Sequence, residues 1–176
     1  MVAIELVMTT DPFETLGLEP RFDLAEADIQ RAYLARAAAC HPDLVGADPE
    51  RAADAARLSA ALNRARAVLA APEDRARALL ERLGGAAGDE RELPDGFLME
   101  MMETRMEVEA AVEAGDGEEL ARWREWAKTE RAGYIERLGT MFAGLSTPPA
   151  PDAVQAIRRE LNAWRYIERM LEQTNE

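Results

Sequence analysis

Seven breaks divide a chain that otherwise offers only a helical pattern. They fall at Asp11-Pro12, Gly17 to Arg21, His41 to Pro49, Ala71-Pro72, Gly84 to Asp95, Gly115 to Gly117 and Thr147 to Pro151, each built from residues that stop or turn a helix. Between them Ala, Leu, Glu and Arg dominate, β-branched residues are few and scattered, and the alternation of a half-buried strand is absent. An all-α fold follows, with short helices in the first half and three longer ones in the second.

The apolar spacings say how these helices pair. A helix over about 25–39 lines up Ile29, Tyr33, Ala37 and Cys40 at intervals of 4, 4 and 3, and one over about 49–70 lines up Leu58, Leu62, Ala65 and Leu69. Two such stripes joined by a compact loop favour an antiparallel hairpin in which each helix buries what the other exposes. Phe13 and Leu16 supply plugs from a short preceding segment, and Pro72 to Leu83 begins another helix with proline in its first turn. After Gly84, Gly85 and Gly88, the run Asp89-Glu90-Arg91-Glu92 reads as a linker. Beyond it, Leu120, Trp123, Ala127, Tyr134, Leu138 and Met141 form one near-heptad stripe. Val154, Ile157, Leu161, Trp164, Glu168 and Leu171 form another, with a single polar interruption. Together with a helix over 97–114 they suggest a three-helix antiparallel bundle. The expected division is a first domain over 1–85, a linker over 86–95 and a bundle over 96–176.

Charge narrows the partners. The 176 residues carry a net charge of −13, with ten arginines against 14 acids in residues 1–85 and eleven cations against 20 acids in residues 86–176. Nucleic acid and acidic membrane surfaces are poor partners for such a chain, since both need clustered cations. The one cysteine, Cys40, excludes an intrachain disulfide framework, and with His41 it gives only two soft ligands where a structural zinc wants four. Residues 1–10 lack the basic start and apolar run of a secretory leader, and no stretch approaches the roughly 20 apolar residues of a membrane span. The expectation is a soluble, cytoplasmic protein without metal or cofactor.

Enzymatic chemistry finds no foothold. Cys40 and His41 are adjacent and their side chains diverge at a helix end, which makes a poor nucleophile pair, and no Gly-rich phosphate loop occurs. No catalytic residue is expected. Taken alone, His41-Pro42-Asp43 reads equally well as a helix stop followed by a turn.

The context of that tripeptide carries a resemblance. Asp11-Pro-Phe-Glu-Thr-Leu-Gly-Leu18, then Tyr33 eight positions before His41, then Leu62-Asn63 through Leu69 and Pro72, are similar to the succession of marks in a J domain. More narrowly, Pro72-Glu-Asp-Arg-Ala-Arg-Ala-Leu-Leu80 and Phe97-Leu-Met-Glu-Met-Met-Glu103 resemble the HscB family of iron–sulfur cluster co-chaperones, over roughly residues 11–172. The resemblance implies a J domain that stimulates ATP hydrolysis by a DnaK/HscA-type chaperone, and a C-terminal bundle that delivers the scaffold protein IscU. By motif, His41, Pro42 and Asp43 would touch the chaperone, Asp43 by a charge-assisted pair with an arginine there, supported by Arg31 and Arg36. Leu98, Met99, Met102, Glu103 and, on the last helix, Tyr166 match positions of scaffold contact.

The chain departs from the J-domain pattern in one respect. Leu34 and Ala35 stand where a basic pair is usual, and Leu44 replaces a common lysine, so electrostatic steering toward the chaperone is expected to be weaker. On the first bundle helix, Leu98, Met102 and Met106 lie at spacings of 4 and 4. Read without the family, such a stripe is ordinary core. The density of methionine there also suits an adaptable binding surface. Two other readings stay open: a J-domain adaptor for a different client, and a structural helical protein whose tripeptide is an incidental turn. Asn63, Arg64 and Arg66 read as structural.

Overall fold

A computed structural model describes residues 10–38, 49–84 and 92–173. Among them the chain forms seven helices and no strand: α1 (Pro12–Leu16), α2 (Glu26–Ala38), α3 (Pro49–Ala70), α4 (Pro72–Arg82), α5 (Phe97–Ala114), α6 (Gly117–Ala143) and α7 (Pro151–Gln173). The expected boundaries of α3 and α5 are met to the residue. The chain divides into two compact units, Met1–Leu79 and Leu80–Glu176, the division falling inside α4.

In the first unit α1 is a single turn made possible by its two ends. Asp11 accepts hydrogen bonds from the Phe13 and Glu14 amides at 2.8 and 3.2 Å, and Pro12 occupies a first-turn position where no amide hydrogen is needed. Gly17 closes the turn at φ 63°, its N–H reaching the Glu14 carbonyl while the Leu18 N–H reaches that of Phe13. The absent Cβ of Gly17 also leaves room for the guanidinium of Arg36 from α2, the far end of a flexible side chain that would have to shift if a larger residue stood there. This seats the plugs Phe13 and Leu16, both fully buried, under α3.

The α2–α3 hairpin buries the stripes the spacing pointed to. Ile29 is buried on α2, and Leu62, Ala65 and Leu69 are buried on α3, with Leu58 half-buried. Tyr33 and Ala37 are half-buried, and Cys40 lies outside the described residues. Across the hairpin the Tyr33 hydroxyl donates to Asn63 Oδ1 at 2.9 Å, and the Arg66 guanidinium lies 5.2 Å from the Tyr33 ring centre. Asn63 and Arg66 are therefore structural, as the sequence suggested.

In the second unit α6 and α7 form the principal pair and α5 rests on both. The core runs through Ala127, Tyr134 and Leu138 of α6 and Val154, Ile157, Leu161, Trp164, Ile167 and Met170 of α7. Glu168, the polar interruption in the α7 stripe, accepts from the Trp164 indole N–H at 2.7 Å and pairs with Arg131 of α6 at 2.8 Å. A buried indole needs an acceptor, and the break in the apolar pattern supplies it. Gly115 ends α5 in the left-handed region, and Asp116 caps α6 by accepting from the Glu118 and Glu119 amides. At the far end of the expected linker, Glu92 is held to α7: Asn162 donates to its carbonyl at 2.9 Å and Gln155 to its carboxylate.

Candidate functional site

Helix α5 is apolar on two sides, and only one of them faces the bundle. Phe97, Met101, Val108 and Ala111 are buried. These positions, at spacings of 4, 7 and 3, make one continuous stripe of a helix. Leu98, Met99, Met102 and Met106 lie on the other side and are 54, 77, 59 and 69 % exposed. Six large apolar side chains stand exposed among the described residues, and with Val112 five of them belong to α5. Monomeric proteins seldom leave such residues grouped on one element unless the group has an occupant.

The charges around this face have one sign. Between Phe97 and Ala114 stand Glu100, Glu103, Glu107, Glu109 and Glu113 against the single cation Arg105. Glu103 is exposed beside Met102, and Arg105 is tied to Glu109 at 2.7 Å within the helix. That pair first, and then the nearby Tyr166 side chain, raises the Arg105 pKa above its ordinary value. The face thus offers flexible thioethers inside a rim of carboxylates, chemistry suited to a partner with an apolar patch bordered by cations.

Tyr166 reaches this region from α7. Its ring packs against that of Phe97 at a centroid separation of 5.7 Å and an interplanar angle of 86°, and its side chain stands close enough to Arg105 to favour the charged guanidinium. Arg105 follows Met102 by three positions and so neighbours it on the helix surface. The half-buried Tyr166 is a strut between α7 and α5 at the border of the exposed face. The structure therefore gathers Leu98, Met99, Met102 and Glu103 on one open side of α5 and sets Tyr166 at its margin. Met106, which the sequence placed on the same stripe but not among the contact residues, extends the face by one turn; the proximity of Arg105 to Tyr166, 61 positions apart, left no local trace.

In the first unit His41, Pro42 and Asp43, with Leu44, lie outside the described residues. The two cations grouped with them differ in setting. Arg31 is exposed and pairs with Asp28 one turn earlier. Arg36 is half-buried, its guanidinium held over Gly17 at the end of α1. Leu34 is 54 % exposed and Ala35 is open beside it, so an apolar surface stands where the J-domain pattern has cations.

Among the described residues no three His, Cys, Asp or Glu side chains converge in a way that would hold a metal ion, and no helix is long and apolar enough to cross a membrane.

Comparison with known proteins places these features in a family. Residues 93–175 match the family model described as the HSCB C-terminal oligomerisation domain. The co-chaperone protein HscB homolog of Burkholderia multivorans is 30 % identical over 148 residues, covering 82 % of this chain and 85 % of that one. The homolog from Neisseria gonorrhoeae is 29 % identical over 161 residues, covering 90 and 93 %. Among solved structures, human co-chaperone protein HscB superimposes with a TM-score of 0.80 at 22 % identity, covering 96 % of this chain and 82 % of that one. The chaperone HscB from Vibrio cholerae superimposes with 0.73 at 24 %, covering 94 and 95 %. At those identities the two structures speak for the fold: a J domain with a helical bundle after it.

Proposed function

The chain belongs to the HscB family of co-chaperones, and from that premise we propose that it couples an IscU-type iron–sulfur scaffold to the ATPase cycle of a DnaK/HscA-type chaperone. The observation that carries the client half of this reading is the open side of α5, where Leu98, Met99, Met102 and Met106 are exposed within a border of glutamates. Scaffold docking buries these side chains, which are already partly covered, so each contributes less than the roughly 1.5–3 kcal/mol of a fully exposed one. The thioethers adapt to the partner's relief. Glu103 orients the partner through a cation on its surface, and Tyr166 keeps α5 fixed against α7 so that little is lost in ordering the face on binding.

The chaperone half rests on the His41-Pro42-Asp43 tripeptide. Asp43 offers a carboxylate for a bidentate arginine on the chaperone, Pro42 fixes the backbone that aims its neighbours, and Arg31 adds an exposed cation from α2. Arg36 contributes mainly through the seat it shares with Gly17. The co-chaperone holds no nucleotide of its own in this scheme and acts on the ATP chemistry of its partner.

The test is ATP turnover by an HscA-type chaperone with this protein and an IscU-type scaffold present together. Turnover is expected to rise with both, and His41→Gln to abolish the rise while leaving scaffold binding intact. Stimulation by His41→Gln equal to that of the native protein contradicts the mechanism. Full stimulation without any IscU binding reassigns the α5 face to another client.

A further inference from the structure

The same face carries a chemical liability that buried methionines do not share. We infer that Met99, Met102 and Met106 form an oxidation-sensitive modification site, at which a peroxide converts the apolar side of α5 into a polar one. The claim that this conversion governs client binding rests on the scaffold-docking reading above; the modification site itself does not.

Three observations converge on these sulfurs. They are 77, 59 and 69 % exposed, whereas Met101 of the same helix and Met170 of α7 are each 4 % exposed. Sulfoxidation requires the oxidant to reach the sulfur, so exposure selects among chemically identical thioethers. Their spacings of 3 and 4 put all three along one side of α5, where each modification adds to the same surface. Finally, the polar groups that border that side are mainly carboxylates, acceptors that offer a sulfoxide oxygen no hydrogen-bond donor, and the one cation among them, Arg105, is already paired with Glu109. A sulfoxide oxygen carries a strong dipole that water solvates well, and covering it with an apolar partner strips that water away.

The reaction balances with the peroxide alone. A sulfur lone pair attacks one peroxide oxygen, an S–O bond forms as the O–O bond breaks, and the departing oxygen leaves as water after proton transfer. The thioether is oxidised by two electrons to the sulfoxide and the peroxide is reduced. A methionine sulfoxide reductase reverses the change at the expense of a dithiol, releasing water. The α5 face is thus a reversible switch, apolar when reduced and polar when oxidised.

The experiment treats the full-length protein with graded hydrogen peroxide and then with excess thiol, which returns reversible oxidation products of Cys40 to the thiol. Peptide mass spectrometry then locates the sulfoxides, and calorimetry measures binding to an IscU-type scaffold. Met99, Met102 and Met106 are expected to be modified well before Met101 and Met170, with a loss of affinity of about tenfold or more. Both reductase epimer specificities together with a dithiol are expected to restore binding. In Met99→Leu/Met102→Leu/Met106→Leu, the affinity is expected to be the same before and after peroxide, whatever its starting value. Equal modification of all five methionines overturns the site. Loss of binding that persists after the sulfoxides have been reduced overturns the switch. Failure of the untreated protein to bind scaffold sinks the docking reading, and the order of sulfoxide formation still decides the modification site.

Discussion

Arg75 shows how a motif residue acquires its reason only in three dimensions. It sits in the Pro72-to-Leu80 stretch that carried part of the family resemblance, and nothing in its local pattern marks it as buried. In the structure it is 7 % exposed, its guanidinium donating to the Leu69 carbonyl at the end of α3 and lying 5.3 Å from the Phe22 ring centre. Burial lowers its pKa, an effect partly offset by Asp23. The sequence could not disclose this, because the acceptor is a backbone carbonyl and the covering ring lies 53 positions away. Arg75→Ala, which removes a charged donor from a buried carbonyl, is expected to cost about 2–3 kcal/mol in urea unfolding. A second residue answers to pH. Burial first, and then Glu160, push the Tyr134 hydroxyl from 10.0 up to about 12. Because the folded value lies above the unfolded one, Tyr134 contributes its full stability below about pH 10 and loses it as pH rises toward about 12. The difference in stability between the native protein and Tyr134→Phe should therefore shift by roughly 2–3 kcal/mol across that window, measured by denaturant titrations at each pH.

At the scale of elements, the helix faces were legible where one side alone was apolar. The α2 and α3 stripes turn inward as read, with Ile29, Leu62, Ala65 and Leu69 buried and Tyr33, Ala37 and Leu58 half-buried, while Leu34 of α2, off that stripe, stays exposed. Helix α5 defeated the same reasoning for a physical reason: Phe97-Met101-Val108-Ala111 and Leu98-Met102-Met106 both have helical spacing, and periodicity cannot say which turns inward. The aromatic pair of Phe97 with Tyr166 decides it, and that contact joins positions 69 apart. Glu168 is the converse case, a polar residue that spoiled a stripe and proved to be the hinge pin of α6 and α7. Glu168→Ala leaves the Trp164 indole and Arg131 without their acceptor and is expected to cost about 1–3 kcal/mol. Glu168→Gln, which keeps an oxygen for the indole, should cost less. Thermal unfolding of the two variants side by side tests the order.

The whole molecule divides its work between two helical units. The sequence conveyed the all-α class and both packing arrangements because Gly and Pro breaks fall close to the ends of the helices and local apolar spacings match local burial. What it could not convey was which surfaces remain open, because openness is decided by how much of each helix its neighbours happen to cover. The first unit leaves Leu34 and Ala35 open where cations are usual, so under the proposed function recognition of a chaperone would rest on the tripeptide and Arg31 more than on a basic surface. The second leaves one whole side of α5 open, and what covers that side decides the client. Calorimetric titration of an IscU-type scaffold into the native protein and into Leu98→Ser/Met102→Ser puts that question most directly. Binding by the native protein, weakened by about tenfold to a hundredfold in the variant with its helix content unchanged, is the expected result. Equal affinity in the two proteins contradicts the assignment of the α5 face.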